Sequence, residues 1–431
     1  MRKPAIALVI LVLLVLVGLA IAGVERGGKA MAYRFNGAPL EVRQPRGAPR
    51  GMVLLLVSEG DDEADIRELG RKLENQGLTT VLLDMERAKI PLQGGKCLNY
   101  TNFLHNVSKD VQHRLGFERF LSPALGGGGQ GAIMALAAYK QAADGLYSGL
   151  VTQNPAETLL AKTKPCGDFV KRTGKQGVFT VDPGTPPPAT WIRVRPGTPP
   201  DAAPLLQSAG ADELPLTVVP ATASNETDVM AVLYSGDGGW AGLDKRMAAE
   251  MAERGVPVVG ISSLEYFWRE RPPAEAAADL ARVMRDYRAR WGKRRVVLIG
   301  YSYGADVLPF VYRALPPEER ATVARVDLLG LSDTADFQFH LGSWLDISGD
   351  NARPTAPEAD AINDTEVSCI RGSTEKGSAC LSLKNPRIRQ IEIPGDHHFN
   401  GDQVAVVNAL LADLPLNSDG GAKAPPARGV Q

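Results

Sequence analysis

Ser302 stands in Gly300-Tyr301-Ser302-Tyr303-Gly304, at the end of an apolar run and ahead of a helix-like pattern. A serine so placed becomes a nucleophile when a histidine takes its proton and an acid orients that histidine; otherwise it is an ordinary turn serine. The chain has five histidines. His105 and His113 precede Ser302, and His340 lies in the aromatic, alternating segment FQFHLGSW, which reads as a strand or flap. His397 and His398 fall in IEIPGDHHFNG, between the last predicted strand and the last predicted helix, where a serine–acid–histidine order places its base. His397 begins an H-x-F step two residues after Gly395 and is favoured as the base. His398 is the alternate base, or otherwise part of the wall. For the acid, the strand ending at Cys369-Ile370 leads into G-x-x-E, which selects Glu375. Asp333, in GLSDTADF, is the alternative, and Asp396 a third.

These residues need a scaffold. G-x-S-x-G between a strand and a helix is the nucleophile elbow of α/β-hydrolases: the serine sits in a strained turn, and its neighbours must be small so that strand and helix pack closely. The backbone N–H of Tyr303 then opens a helix and can hold an oxyanion. A second donor is expected from the glycine-rich turn YSGDGGWAGLD, from Asp237 or Gly238. No Gly-Lys-Ser/Thr follows this turn, so it is not a phosphate loop. Asp306, one helical turn past Ser302, is placed to buttress the elbow or to hold a substrate amine. The pattern predicts strands at 232–235, 256–261, 295–299, 326–331, 367–370 and 388–393, and helices at 243–254, 274–291, 303–314 and 402–412. That alternation describes a mostly parallel sheet covered on both faces.

The same outline occurs earlier in the chain. PLEV at Pro39–Val42 is echoed by PLTV at Pro215–Val218, VLLLVSEGDD by MAVLYSGDGG, and GGGQGA at Gly127–Ala132 by GYSYGA at Gly300–Ala305. The offset stays near about 175 residues, as a tandem duplication requires. In the first copy Gly129 stands where the serine should be, and no histidine follows His113 before the second copy begins. The expected organisation is a degenerate α/β-hydrolase-like domain over residues 32–211, a catalytic one over 212–416, and a disordered tail over 417–431. Residues 1–24 pair Arg2 and Lys3 with an apolar run from Pro4 to Gly23, long enough to span a bilayer. They read as a signal anchor, with cleavage near Ala20-Ile21-Ala22 as the alternative. Export permits disulfides, and Cys97–Cys166 with Cys369–Cys380 is a plausible one of the three pairings that four cysteines allow. No cysteine–histidine spacing suits a metal, and no cofactor is expected. A net charge of −1 gives no general attraction to nucleic acid.

At YSGDGGWAGLD, GYSYGADVLPF, FQFHLGSWL, the Cys369–Cys380 segment and PGDHHFNGD, the second copy resembles the bacterial VirJ family over about 200 residues. The whole arrangement is similar to the longer, two-copy, AcvB-like form of that family. The resemblance implies a periplasmic protein held at the inner membrane by its N-terminal helix. It also implies hydrolysis of aminoacyl-phosphatidylglycerol, the lysyl or alanyl ester of a membrane lipid, with Ser302, Glu375 and His397 or His398 carried over as the machinery. The rival expectations are a non-catalytic periplasmic adaptor or chaperone with secretion-system or cargo proteins as partners, and a carboxylesterase without lipid preference.

Overall fold

The computed structural model describes residues 30–90, 92–93, 96–143, 145–174, 177–182, 190–195, 198–206, 214–222, 227–339 and 352–414. The expected anchor at 1–24, the tail at 417–431 and His340 lie outside the described residues. Among the described residues no helix is long and apolar enough to cross a membrane. The chain divides into two compact units, one built on residues up to 209 and one on residues 210–431, the latter also taking 116–120 and 143–146.

In the first unit the strands are β1 (Ala30–Phe35), β2 (Ala38–Arg43), β3 (Gly51–Val57), β4 (Leu78–Asp84), β5 (Ala124–Gly128), β6 (Gly149–Pro155) and β7 (Trp191–Val194). They pair in the order β1-β2-β4-β3-β5-β6-β7, antiparallel as far as the β2–β4 pair and parallel beyond it. The helices α1 (Glu63–Glu74), α2 (Tyr100–Arg114) and α3 (Gly129–Gln141) form the crossovers. Asp62 caps α1 by accepting the Ala64 and Asp65 N–H groups.

The second unit repeats this plan. Its strands are β8 (Leu216–Val219), β9 (Val229–Tyr234), β10 (Val258–Ile261), β11 (Arg295–Tyr301), β12 (Val323–Leu329), β13 (Glu366–Gly372) and β14 (Arg389–Ile393). The order is β8-β10-β9-β11-β12-β13-β14, with only β8 antiparallel. The helices are α4 (Leu243–Glu253), α5 (Pro273–Trp291), α6 (Tyr303–Ala314) and α7 (Gln403–Leu411). This is the mostly parallel, doubly covered sheet of an α/β-hydrolase-like fold.

Side-chain alternation explains both faces. In β9, Met230, Val232 and Tyr234 join a core with Leu280 and Met284 of α5 and Leu308 and Tyr312 of α6. Val229, Ala231 and Leu233 point to the opposite core, with Met247 and Met251 of α4 and Val406 and Leu410 of α7. A strand buried on both sides has to read as an unbroken apolar run, and β9 does. Pro272-Pro273 opens α5, and Gly292 at φ +64° closes it in a left-handed cap. Both disulfides form, Cys97–Cys166 in the first unit and Cys369–Cys380 in the second. Two such bonds fit an oxidising, extracytoplasmic compartment.

Candidate active site

Ser302 sits between β11 and α6 with φ +52° and ψ −120°, a left-handed conformation that a serine adopts only under constraint. Its N–H donates to the Leu329 carbonyl at the end of β12, 2.8 Å away. The two glycines of the motif are steric necessities. A Cβ on Gly300 would stand 2.4 Å from the Gly304 carbonyl oxygen, and one on Gly304 2.3 Å from that of Tyr234. Any side chain at either position would push the helix off the sheet and the serine away from its seat.

His397 follows β14, and Glu375 lies in the segment after β13 that the Cys369–Cys380 bond closes. His397 Nε2 is 2.9 Å from Ser302 Oγ, and its Nδ1 is 2.5 Å from Glu375 Oε1. Glu375 is itself held, since its Oε2 accepts the Gly372 N–H at 3.1 Å. Gly330, at φ +64° after β12, makes room for the imidazole: a Cβ there would meet His397 Cε1 at 2.7 Å. The hydrogen bond to Glu375 raises the pKa of His397, against an opposing effect of burial, and the charges of Glu375, Asp306 and Asp237 add to the rise. Burial alone would push Glu375 up, but the hydrogen bond and charge of His397 outweigh it and hold the carboxyl below its ordinary value.

The alternates fall elsewhere. His398 Nδ1 is 2.6 Å from the Tyr301 hydroxyl, and the Asp396 carboxylate accepts the His398 backbone N–H. Asp333 accepts the Thr355 N–H through its carbonyl. Asp306 is buried, and its Oδ1 accepts the Ser332 N–H at 2.7 Å, so it pins the loop after β12 against α6. Burial pushes its carboxyl up to about 7, against the opposing hydrogen bonds from Ser332. In the turn after β9, Gly236 lies against the elbow, where a Cβ would be 3.5 Å from Ser302 Cβ. Asp244, at the start of α4, is buried, and burial pushes its carboxyl well above its ordinary value against the pull of the nearby Gly236 N–H. Asp237 borders the site, where its charge acts on His397, His398 and Tyr301.

Sequence reasoning passed over Tyr301, Gly330, Ser332 and Asp244. Tyr301 sat in plain view as the first variable position of the motif, but only the fold brings it to the histidines. Asp244 looks like one more acid in a helix's first turn, and nothing local tells that it is buried.

The first unit keeps the elbow and fills it. Gly129 has φ +50°, close to that of Ser302. The Asp61 carboxylate accepts the N–H groups of Gln130 at 2.6 Å and Gly131 at 2.8 Å, the donors that open α3, and also that of Ser58 at 2.9 Å. A Cβ on Gly129 would lie 2.4 Å from Asp61 Oδ1. Residues 156–160 close over the same point: Ala156 N–H donates to the Gly129 carbonyl, and the Gln130 side chain bonds Thr158 and Leu160. His105 is buried in α2, and His113 lies in that helix's last turn.

A strained serine at the elbow, a histidine within reach of it and a carboxylate on that histidine, all at the carboxyl end of a mostly parallel sheet, define the second unit as an α/β-hydrolase-like domain. Residues 228–417 match the family described as bacterial virulence protein (VirJ). No curated protein matches the chain. Among solved structures it is similar to XC6422 from Xanthomonas campestris, described as an a/b serine hydrolase without lid, at 15% identity and TM-score 0.30, covering 45% of this chain and 85% of that one. Est1E from Butyrivibrio proteoclasticus is similar at 13% identity and TM-score 0.32, covering 47% and 96%. MenH from S. aureus is similar at 12% identity and TM-score 0.35, covering 46% and 96%.

Proposed function

We propose that this protein is a periplasmic serine esterase that hydrolyses aminoacyl-phosphatidylglycerol, with Ser302, His397 and Glu375 as its triad. The observation that carries the hydrolase reading is the continuous bonding from Ser302 Oγ through both nitrogens of His397 to Glu375. His397 Nε2 takes the Ser302 proton as Oγ attacks the aminoacyl carbonyl. The oxyanion rests on the Tyr303 N–H at the start of α6 and on a donor from the Asp237–Gly238 turn. The ester bond then breaks, and His397 returns the proton to the departing glycerol oxygen of phosphatidylglycerol. Water gives its proton to His397 as it attacks the acyl-enzyme, and His397 passes that proton to Ser302 Oγ as the amino acid leaves.

Two things support the lipid substrate. The family match brings the expectation set out from the sequence motifs. The site is also acidic, with Asp237, Glu375 and Asp396 all acting on His398 and the first two on His397 as well, which suits an acyl group bearing a protonated amine. An N-terminal anchor in residues 1–24 would hold the site at the bilayer that carries the substrate.

The test is to incubate the full chain with vesicles containing lysyl- or alanyl-phosphatidylglycerol and measure free amino acid. Ser302→Ala should lower the rate by roughly 10⁴-fold or more. Equal release by both proteins sinks the mechanism. Labelling of Ser302 by a fluorophosphonate without lipid turnover leaves a serine hydrolase of another substrate, and neither labelling nor turnover favours the adaptor reading.

A further inference from the structure

Tyr301 is the last residue of β11 and immediately precedes the nucleophile. Its hydroxyl is 2.6 Å from His398 Nδ1. Its ring stacks on that of His397, with centroids 5.9 Å apart and planes 28° from parallel, and also packs against Phe399 at 6.4 Å. One side chain therefore reaches three consecutive residues of the histidine loop. That loop needs fixing. Phe399 and Asn400 are consecutive non-glycine residues at φ +53° and +51°, a conformation costing about 1–3 kcal/mol per residue that persists only when surroundings impose it. Other ties are the buried Phe399 ring, the Asp396 carboxylate on the His398 N–H, the bonds of His397 to Ser302 and Glu375, and the Thr374 N–H on the Gly395 carbonyl.

We propose that Tyr301 is a positioning residue for the base: by bonding His398 Nδ1 and backing the His397 ring, it latches the histidine loop to the strand that carries Ser302. The proposal rests on the hydrolase reading above. Burial, then the charges of Asp244 and Asp237, keep the Tyr301 hydroxyl protonated far above neutral pH. A protonated hydroxyl can donate to an unprotonated Nδ1, and the latch takes that arrangement, with the His398 proton on Nε2. Desolvation of the ring, then the neighbouring His397, lowers the pKa of His398, while Asp396, Asp237 and Glu375 act the other way. Losing the donor from Tyr301 removes support for the unprotonated nitrogen, so the His398 pKa should rise.

The experiment uses the full chain, p-nitrophenyl butyrate as the ester and histidine-ring NMR as a readout independent of turnover. Tyr301→Phe keeps the ring and deletes the hydroxyl. It should lower kcat about ten-fold with KM nearly unchanged, since it misplaces the base and not the substrate. His398→Ala should do the same, and the double variant should be no worse than either single, because both remove one bond. His398→Asn, which places an amide oxygen near the position of Nδ1, should recover most of the rate. In NMR titration the His398 pKa should move up in Tyr301→Phe. If that variant does not fold, the His398 pair carries the test. With an active wild type, an unchanged kcat in Tyr301→Phe, independent losses that add, or an unmoved His398 titration each overturn the latch alone. A wild type that neither turns over ester nor reacts with a fluorophosphonate overturns the hydrolase reading, and with it the catalytic meaning of the latch.

Discussion

At the level of single residues, the proposed mechanism makes His397 set the pH dependence, because it has to be unprotonated to act as base. Its pKa is raised, first by the Glu375 hydrogen bond. Activity should therefore fall as pH drops, with the acid limb of kcat/KM at a higher pH than an unperturbed histidine would give. Glu375→Gln removes the largest cause of the rise, so the limb should move to lower pH while the plateau drops on the order of 10²–10⁴-fold. A pH–rate profile of the two proteins checks both signs. A limb that stays put in Glu375→Gln would show that another carboxylate, such as Asp237, governs the base. That Ser302, Glu375 and His397 would lie together was legible in the sequence, because this fold fixes a serine–acid–histidine order and few candidates follow Ser302. The partners of His398 and Asp306 were not, since they depend on which neighbour the folded chain brings within 3 Å: Tyr301 for one, Ser332 for the other.

At the level of elements, the acid depends on a short tether. Cys369, inside β13, and Cys380 are fully buried and close a segment of 11 residues' separation that contains Glu375. Replacing both with alanine should cost about 3 kcal/mol of stability, from the freed loop entropy of the unfolded chain. It should also lower kcat more than it changes KM, because Glu375 loses a fixed seat. Urea unfolding and kinetics on the double variant measure the two effects, and a stability loss with unchanged kcat would make the tether purely structural. Most strands and helices were readable from apolar runs bounded by Gly and Pro, and the helix at 303–314 agrees with its expected span to the residue. Strand limits were less so. β11 continues through Tyr301, two residues past its expected end, because the pairing of Gly300 and Tyr301 with Leu328 and Leu329 extends the strand into the turn. An alternation pattern carries no information about that neighbour.

At the level of the whole molecule, two copies of one topology have come to different ends. Their sheets share an antiparallel strand, β2 or β8, followed by a 2-1-3-4-type parallel order, as the repeated motifs predict, and the first sheet adds β1 outside β2. Restoring the missing serine tests how far the first copy has diverged. Gly129→Ser in a chain carrying Ser302→Ala should show no ester hydrolysis and no fluorophosphonate labelling, and it should lower the melting temperature, because the new side chain meets the Asp61 carboxylate. Labelling at position 129 would mean that the carboxylate gives way. The sequence marked this copy as lacking the elbow serine and any histidine after it, but an Asp at the end of a turn gave no sign that it would fold back onto the helix.

The filled elbow has an evolutionary consequence. Where a lost enzyme has only lost its nucleophile, one codon change can bring it back. Here the vacated anion seat has been occupied from within by Asp61 and roofed by residues 156–160. A return to chemistry would need a serine, a histidine, the removal of a carboxylate and the opening of a loop, and each of these changes alone would weaken the fold or do nothing. The divergence of the first copy works as a ratchet: selection can go on refining it as a scaffold, but no single step leads back to an enzyme.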